Sequence, residues 1–399
     1  MIYQRQSELI IRGNNFHKFE ISRNIKSGYK CYHDNQILLS SCKCDDNVDD
    51  DMVEWAINME RSSNLFSIKH DYLDMLRKIE TTYKNHLENF ILRRKLETLC
   101  VNDKKSFLEK YEVKAKFSTD AENYFVCTGG TGTLTDIINK TCFWTQISEK
   151  EKFYNLLYCD FEYAGVMKVL FSNQATGFLC HEAIGHMAEC DLIEKGSAFR
   201  DKLGQNLFDK RICVVDSGRT DYGAGNICFD EEGTDARNTY IIKYGRLNSY
   251  LTDNESAKRY HLLNTGNRRS ENWRQLSNIR MTNTYMESGK DSVDDIIETI
   301  NFGVYIYSIV SGDCYIDGNF TIRAKEACLI RNGKTQGRLH NVIVNENVFN
   351  ILNRVYAIGD DSKLCLGCSS CGKGGNIKVD AGGPHILVDA NVKINDRYN

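Results

Sequence analysis

Two histidines and a glutamate lie close together in the segment HEAIGH, residues 181–186. Imidazole nitrogens bind zinc, and a carboxylate next to the first ligand can take a proton from a metal-bound water. His181, Glu182 and His186 therefore have the residue types of a hydrolytic zinc site. The alternative is a buried helix whose two histidines make ordinary hydrogen bonds, and these six residues alone do not decide between the two.

The spacing of the two histidines restricts the backbone that could hold a shared metal. They stand five residues apart, which in a regular α-helix would leave their side chains about 140° apart. A π-type turn brings them back to within roughly 50° of each other, and such turns favour functional sites. Gly185 eases this distortion. The sequence therefore predicts a helix with a π-bulge or a break at 183–186, and a regular α-helix there would exclude a shared metal.

Acidic residues follow the second histidine. Glu189 and Asp191 are expected to orient the histidines by hydrogen bonds to the ring nitrogens that do not bind metal. Ordinary capping or ion pairing is the alternative interpretation.

A third metal ligand is expected among three cysteines, Cys365, Cys368 and Cys371, in the segment CLGCSSCGKGG. The CxxCxxC pattern is reminiscent of iron–sulfur proteins, but the fourth cysteine and the trailing proline of bacterial ferredoxins do not follow it. A structural zinc knuckle would need a fourth soft ligand nearby. Two histidines and one cysteine would instead leave the fourth position of a tetrahedral zinc open for water or a peptide carbonyl.

Length and composition indicate an ordinary globular protein with two domains. The chain has 399 residues, of which 41% are hydrophobic and 26% charged, and its net charge is -3. This charge provides no overall attraction to nucleic acid or to an anionic membrane. We find no signal peptide and no apolar run long enough to span a membrane, so we expect a cytoplasmic protein. In that setting most of the 16 cysteines are expected to be free, buried thiols.

Hydrophobic patterning predicts an α+β chain. One or two amphipathic helices are predicted between residues 66 and 114, where apolar residues recur at helical spacing. The glycine-rich segment 128–132 is predicted to be a turn. A strand is predicted at 166–171, just before the histidine segment, and short β-prone runs follow at 212–215, 240–242, 304–307, 327–330 and 385–388.

These elements place a domain boundary near residue 160. The prediction is an N-terminal α/β domain with amphipathic helices at residues 1–160, and a β-rich catalytic domain that carries the HExxxH helix at residues 161–399.

Five segments of this second half resemble the TldD/PmbA family of zinc metallopeptidases, and in particular its metal-bearing TldD branch. They occur in one order: HEAIGHMAECD at 181–191, DEEGT at 230–234, GNRR at 266–269, RMTNTYM at 280–286, and CGKGG at 371–375 with the tail AGGPHILVDA. The resemblance covers roughly residues 160–399, and the first 150 residues show little that matches.

The resemblance implies the remaining parts of the site. Cys371, the cysteine of the CGKGG segment, would be the third ligand of one zinc ion, with Glu182 as the general base. The family implies peptidases that act on unfolded or extended peptides, in proteolysis or in the maturation of ribosomally made peptides. It also implies dimers, either homodimers or heterodimers with a metal-free TldE-like homologue, with the active site enclosed between the subunits.

Three further residues, Arg280, Asn283 and Tyr285, are predicted to hold the substrate or to stabilise the oxyanion, with a purely structural role as the alternative. Two other functions stay open from the sequence. One is a non-catalytic, metal-stabilised partner subunit of a peptidase complex, although such a subunit would have no need of Glu182. The other is a redox or iron–sulfur protein, which the cysteine count motivates.

Overall fold

The computed structural model of the chain describes residues 2–14, 18–33, 36–40, 54–55, 58–59, 87–118, 122–140, 143–365 and 369–395. Within these residues the structure is mixed and β-rich. It contains three large sheets, two short two-stranded ribbons and a small number of short helices. The division into domains at residue 160 stays a prediction.

The first sheet is antiparallel throughout and has the strand order β3-β2-β1-β4-β5-β6. Its strands are β1 (Ile2–Asn14), β2 (Lys18–His33), β3 (Gln36–Ser40), β4 (Leu87–Val101), β5 (Lys104–Ser118) and β6 (Asn123–Thr131). Two helices follow, α1 (Leu134–Lys140) and α2 (Phe143–Tyr154). They pack on one face of the sheet, where Leu92, Val113 and Val126 meet Ile137 and Phe143 in a common apolar core.

The predicted amphipathic helices between residues 66 and 114 are wrong over 87–114, where the structure has β4 and β5. Residues 66–86 lie outside the described part of the chain. The reason for the error is visible in β4, in which every second side chain is buried. Two of these inward positions are Arg94 and Thr98, which are 4% and 5% exposed. Because they are polar, the period of two that marks a strand is hidden in the sequence.

The glycine-rich segment 128–132 is also not the predicted turn, because residues 128–131 form the end of β6. A Cβ atom on Gly130 would lie 1.9 Å from the carbonyl oxygen of Tyr222. That oxygen accepts a hydrogen bond from the backbone N–H of Thr131 at 3.2 Å. The glycine therefore allows the first sheet to touch the backbone of a later loop.

The second sheet has the strand order β14-β7-β23-β17-β15-β16, and a pairing of β14 with β15 closes this order on itself. Its strands are β7 (Tyr163–Phe171), β14 (Phe302–Cys314), β15 (Asn319–Arg331), β16 (Lys334–Arg338), β17 (Val342–Asn347), β18 (Val355–Ile358) and β23 (Ile386–Ile394). Strand β18 is outside this order and pairs with β23. The strands predicted at 166–171, 304–307 and 327–330 are confirmed. The last predicted run, 385–388, is also a strand, although β23 begins one residue later, at Ile386.

The third sheet has the strand order β10-β9-β8-β13-β22-β19. Its strands are β8 (Val214–Ser217), β9 (Asn238–Lys243), β10 (Arg246–Leu247), β13 (Asn283–Met286), β19 (Lys363–Leu364) and β22 (Asp380–Gly383). The prediction at 240–242 is confirmed, and that at 212–215 overlaps β8. The two ribbons pair β11 (Arg268–Arg269) with β12 (Asn278–Ile279), and β20 (Ser370–Cys371) with β21 (Ile377–Lys378).

The helices that follow α2 in the described residues are short. They are α3 (Asn173–Leu179), a π-helix (Cys180–Gly185), α4 (His186–Ala188), α5 (Cys190–Glu194), α6 (Asn254–Tyr260), α7 (Val293–Glu298) and α8 (Val348–Ile351). Among the described residues, no helix has the length and apolar character needed to cross a membrane.

Helix α3 fixes where the histidine segment lies. It begins directly after β7, and the Ser172 hydroxyl caps it by accepting a hydrogen bond from the Ala175 N–H. The helix then crosses β22 at a glycine contact, because a Cβ atom on Gly177 would lie 2.6 Å from the backbone nitrogen of Gly382. Helix and strand can approach this closely only without that side chain.

We predict that Gly177→Ala destabilises the fold, because the new methyl group would meet backbone rather than a flexible side chain. The expected loss of unfolding free energy is about 1–3 kcal/mol, as for other overpacked cores. Chemical denaturation measures it, with Gln174→Ala as the control on the same helix. Equal stability of both variants would show that α3 and β22 are not in contact at Gly177.

Candidate metal centre

The backbone around the two histidines has the π-type turn that their spacing requires. The π-helix Cys180–Gly185 follows α3, and the N–H of His186 donates to the carbonyl oxygen of His181, five residues earlier. As a result the two imidazole rings lie on the same side, with their centroids 5.0 Å apart and their planes at 78°. Two histidines that a regular helix would separate are thus neighbours.

Gly185 has a packing role in this turn. A Cβ atom there would lie 1.9 Å from the sulfur of Met281 and 3.2 Å from the carbonyl oxygen of Cys180. Met281 is completely buried and lies between β12 and β13. The π-helix therefore packs directly on the segment that precedes β13, and a larger residue at 185 would push the two apart.

Three side chains converge at this point and form a group that could hold a metal ion. The ligand atoms of His181, His186 and Cys371 all lie within 4.8 Å of one another. Cys371 Sγ is 3.5 Å from His186 Nε2. Two imidazole nitrogens and one thiolate are ligands that tetrahedral zinc prefers, and a set of three leaves its fourth position open.

The polar atoms of this group fit a bound cation. His181 is 5% exposed, and neither of its ring nitrogens has a hydrogen-bond partner among the described residues. Leaving buried polar atoms unpaired is costly, and a metal bond would remove that cost. Burial of Cys371 works to raise the pKa of its thiol, but the neighbouring imidazoles of His181 and His186 lower this pKa to about 4. The thiolate, which is the metal-binding form, is therefore favoured at neutral pH.

A buried hydrogen-bond network orients His186. Its Nδ1 lies 2.9 Å from Oε2 of Glu189, a residue with no solvent exposure. The Lys373 ammonium donates to Glu189 at 2.8 Å, to Asp191 at 2.7 Å and to the carbonyl oxygen of Ile279 at 3.2 Å. These bonds direct Nε2 of His186 towards Cys371. Burial works to lower the pKa of His186, but its bonds to Cys371 and Glu189 raise it to about 10.

Glu182 lies at the edge of the metal-binding group. Its Oε2 is 3.8 Å from Nε2 of His186, and its side chain is 34% exposed. Unlike the buried side chains of His181 and Cys371, this carboxylate is open to a ligand that approaches from outside.

Arg280 contacts the loop that carries Cys371. The side chain is 1% exposed, and its guanidinium donates to the carbonyl oxygens of Cys371, at 2.6 Å, and of Lys373. These contacts fix the ribbon of β20 and β21 against β12. They give Arg280 a positioning role, whereas its predicted contact with substrate stays a prediction.

Asn283 and Tyr285 lie on β13, outside the metal-binding group. Asn283 is completely buried, donates to the carbonyl oxygen of Ser217 at 2.6 Å, and accepts from the N–H of Gly225 at 2.8 Å. Tyr285 is half-buried, and burial raises the pKa of its hydroxyl. The hydrogen bonds of Asn283 fit the purely structural role that the sequence left open, and contact of Asn283 or Tyr285 with substrate stays a prediction.

The other cysteines of the CxxCxxC pattern are not in the group. Cys365 is buried, and its thiol donates to the carbonyl oxygen of Lys363 at 3.7 Å. Cys368 lies outside the described residues. Sequence reasoning did not single out Lys373 or Met281, although Lys373 is the lysine of the CGKGG segment and Met281 belongs to RMTNTYM.

Comparison with known proteins places this centre in a family. The sequence model of the PmbA/TldA metallopeptidase C-terminal domain matches residues 164–394. The chain is 34% identical over 229 residues to the metalloprotease TldD homolog of Buchnera aphidicola. The aligned region covers 57% of this chain and 47% of that protein. It is 31% identical over 227 residues to the zinc metalloprotease TldD homolog of Saccharolobus solfataricus, covering 56% of this chain and 51% of that protein.

The chain spans about half the length of the curated relatives that it matches. Its fold is similar over nearly its whole length to the crystal structure of TldE from Thermococcus kodakarensis, with a TM-score of 0.72, 15% sequence identity, and coverage of 99% of this chain and 96% of that one. The family match covers more than half of the residues and includes the whole of the candidate metal centre. The chain therefore belongs to the TldD/PmbA family of metallopeptidases.

Proposed function

We propose that the chain is a zinc-dependent peptidase of the TldD branch that hydrolyses unfolded or extended peptides. The observation that carries this proposal is the buried, unpartnered imidazole of His181 beside the Cys371 thiolate and His186. The names of the relatives, metalloprotease TldD homolog and zinc metalloprotease TldD homolog, support it.

His181, His186 and Cys371 would hold the ion. Zinc bound there would supply Lewis acidity, which polarises a peptide carbonyl and makes a water acidic enough to attack it near neutral pH. The Glu189 carboxylate keeps the His186 ring in place from behind, at 2.9 Å from Nδ1. Hydrogen bonds of this kind fix the tautomer and direction of a ligating histidine.

Glu182 would be the general base and later the general acid. Its carboxylate stands beside the ligands, 3.8 Å from His186 Nε2, and is exposed enough to meet substrate. It would take the proton from the attacking water and deliver it to the amine that leaves. A metal site that served only structure would not need this residue.

The assembly and the layout of the chain complete the proposal. The chain would act as a dimer, formed with a TldE-like homologue or with a second copy of the chain, as the resemblance to the TldD/PmbA family implies. Residues 1–160 would form the N-terminal domain and residues 161–399 the catalytic domain. Arg280, Asn283 and Tyr285 would contribute to substrate or oxyanion binding, with Arg280 acting mainly through the loop that carries Cys371.

We predict that Glu182→Gln keeps its zinc and loses peptide cleavage by at least about a hundredfold, the usual range for loss of general base catalysis. Cleavage of a mixture of unstructured peptides can be followed by mass spectrometry, with zinc content measured on the same preparations. Glu298→Gln, an exposed change on α7, is the matched control and should be as active as the wild type. Full activity of Glu182→Gln would contradict the assigned role.

We also predict that Lys373→Met weakens zinc binding by about ten- to a hundredfold, the usual effect of removing a group that orients a ligand. The substitution would leave the fully buried Glu189 without its ammonium partner, so His186 would be held less firmly. Competition with a chelator measures the affinity, and Lys290→Met on the surface serves as control. Unchanged affinity would show that the network does not position His186.

A further inference from the structure

A cleft of about 990 Å³ lies between the first sheet and the ribbon of β20 and β21. The sheet contributes Arg93, Lys95 and Lys110, and the ribbon contributes Ser370 and Lys378. Because successive side chains of a strand point to opposite faces, this is the sheet face opposite to the core beneath α1 and α2. The cleft is separate from the group of His181, His186 and Cys371.

One half-buried carboxylate beside the cleft is shared by two cations. Glu97 lies 2.7 Å from the Lys95 ammonium and 2.8 Å from that of Lys110. Burial works against ionisation of Glu97, but the two ammonium groups hold its pKa well below the usual range. Since one carboxylate balances one ammonium, this cluster keeps an excess of positive charge.

A second carboxylate is shared by three cations. Glu112 lies 2.6 Å from the Lys378 ammonium, 2.9 Å from that of Lys114 and 3.8 Å from the Arg93 guanidinium. Three cations around one carboxylate leave an excess of positive charge here as well.

The charge of the cleft is opposite in sign to that of the whole chain. Five basic and three acidic side chains line it, whereas the chain carries a net charge of -3. Glu97 and Lys114, which pair with lining residues, add one charge of each sign. An anionic ligand is therefore attracted locally to a protein that repels it overall.

The spacing of the cations fits an extended peptide. Arg93 and Lys95 occupy alternate positions on one strand, so their Cα atoms are about 6.6–6.8 Å apart. Alternate side chains of an extended peptide have the same separation. Glu8 lies opposite Lys95, and Glu112 lies opposite Arg93. There they would repel the unbroken phosphate charge of a nucleic acid but could accept hydrogen bonds from a peptide.

We propose that this cleft is a second substrate-binding site, which takes an extended acidic segment of the peptide at a distance from the bond that is cleaved. The proposal rests on the peptidase function proposed above. The two sites lie on opposite faces of the ribbon of β20 and β21, because Ser370 lines the cleft and the next residue, Cys371, belongs to the metal-binding group. An acidic segment held in the cleft would bring the neighbouring part of the same peptide to the metal centre.

The test measures binding without cleavage, on the zinc-loaded full chain carrying Glu182→Gln. Fluorescence anisotropy compares a labelled peptide that has aspartates at alternate positions with the same peptide carrying asparagines. We expect the asparagine peptide to bind about tenfold more weakly than the aspartate peptide. We also expect the affinity for the aspartate peptide to fall about fivefold when Lys26→Gln and Arg93→Gln are combined. The matched control combines Lys290→Gln with Lys334→Gln, two exposed changes outside the cleft, and should bind as before.

Equal affinity for the two peptides, or no effect of the cleft variant when circular dichroism shows it folded, would overturn the proposal. If the double variant folds poorly, Arg93→Glu alone provides an independent test. This charge reversal should weaken binding of the aspartate peptide more than the neutral substitutions do. Tighter binding of a single-stranded oligodeoxynucleotide that the same substitutions abolish would assign the cleft to nucleic acid instead. Selective binding of the acidic peptide by a wild type that cleaves nothing would contradict the peptidase function and leave the cleft assignment in place.

Discussion

The hydrogen bond from the His186 N–H to the carbonyl oxygen of His181 spans five residues, and the candidate metal centre depends on it. In a regular α-helix the two imidazoles would point about 140° apart and could not share an ion. The wider turn is maintained by close packing, since Gly185 leaves room for the sulfur of Met281 and Gly177 leaves room for the backbone of Gly382. The geometry of the histidine pair thus depends on glycines that let the helix lie against the third sheet and against the segment that precedes β13.

The third side chain of the centre comes from far along the sequence, and buried polar bonds hold it there. Arg280 donates to the carbonyl oxygens of the loop that contains Cys371. Lys373, two residues after the cysteine, reaches back to Glu189 and Asp191 behind the histidines. The loop is therefore fixed from both sides, and the ligand atom of Cys371 lies within 4.8 Å of those of His181 and His186.

How much of this could be read from the sequence depended on the range of the interactions. The histidine pair and its π-type turn follow from local spacing, and apolar runs such as that at 304–307 identify central strands. The strands β4 and β5 could not be found in this way, because Arg94 and Thr98 occupy inward positions and disguise the alternation. Lys373 was missed for a different reason. Its partners lie more than 90 residues away in the sequence, and only the fold brings them together.

The most direct test of this account is the zinc content of the purified chain beside that of Cys371→Ser and His186→Ala. The account predicts about one zinc per wild-type chain, loss of zinc in both variants, and retention in Cys365→Ser, whose thiol lies outside the metal-binding group. Zinc retained in Cys371→Ser would contradict the ligand assignment. A folded wild type that contains iron, or that binds no zinc when it is supplied, would contradict the account as a whole.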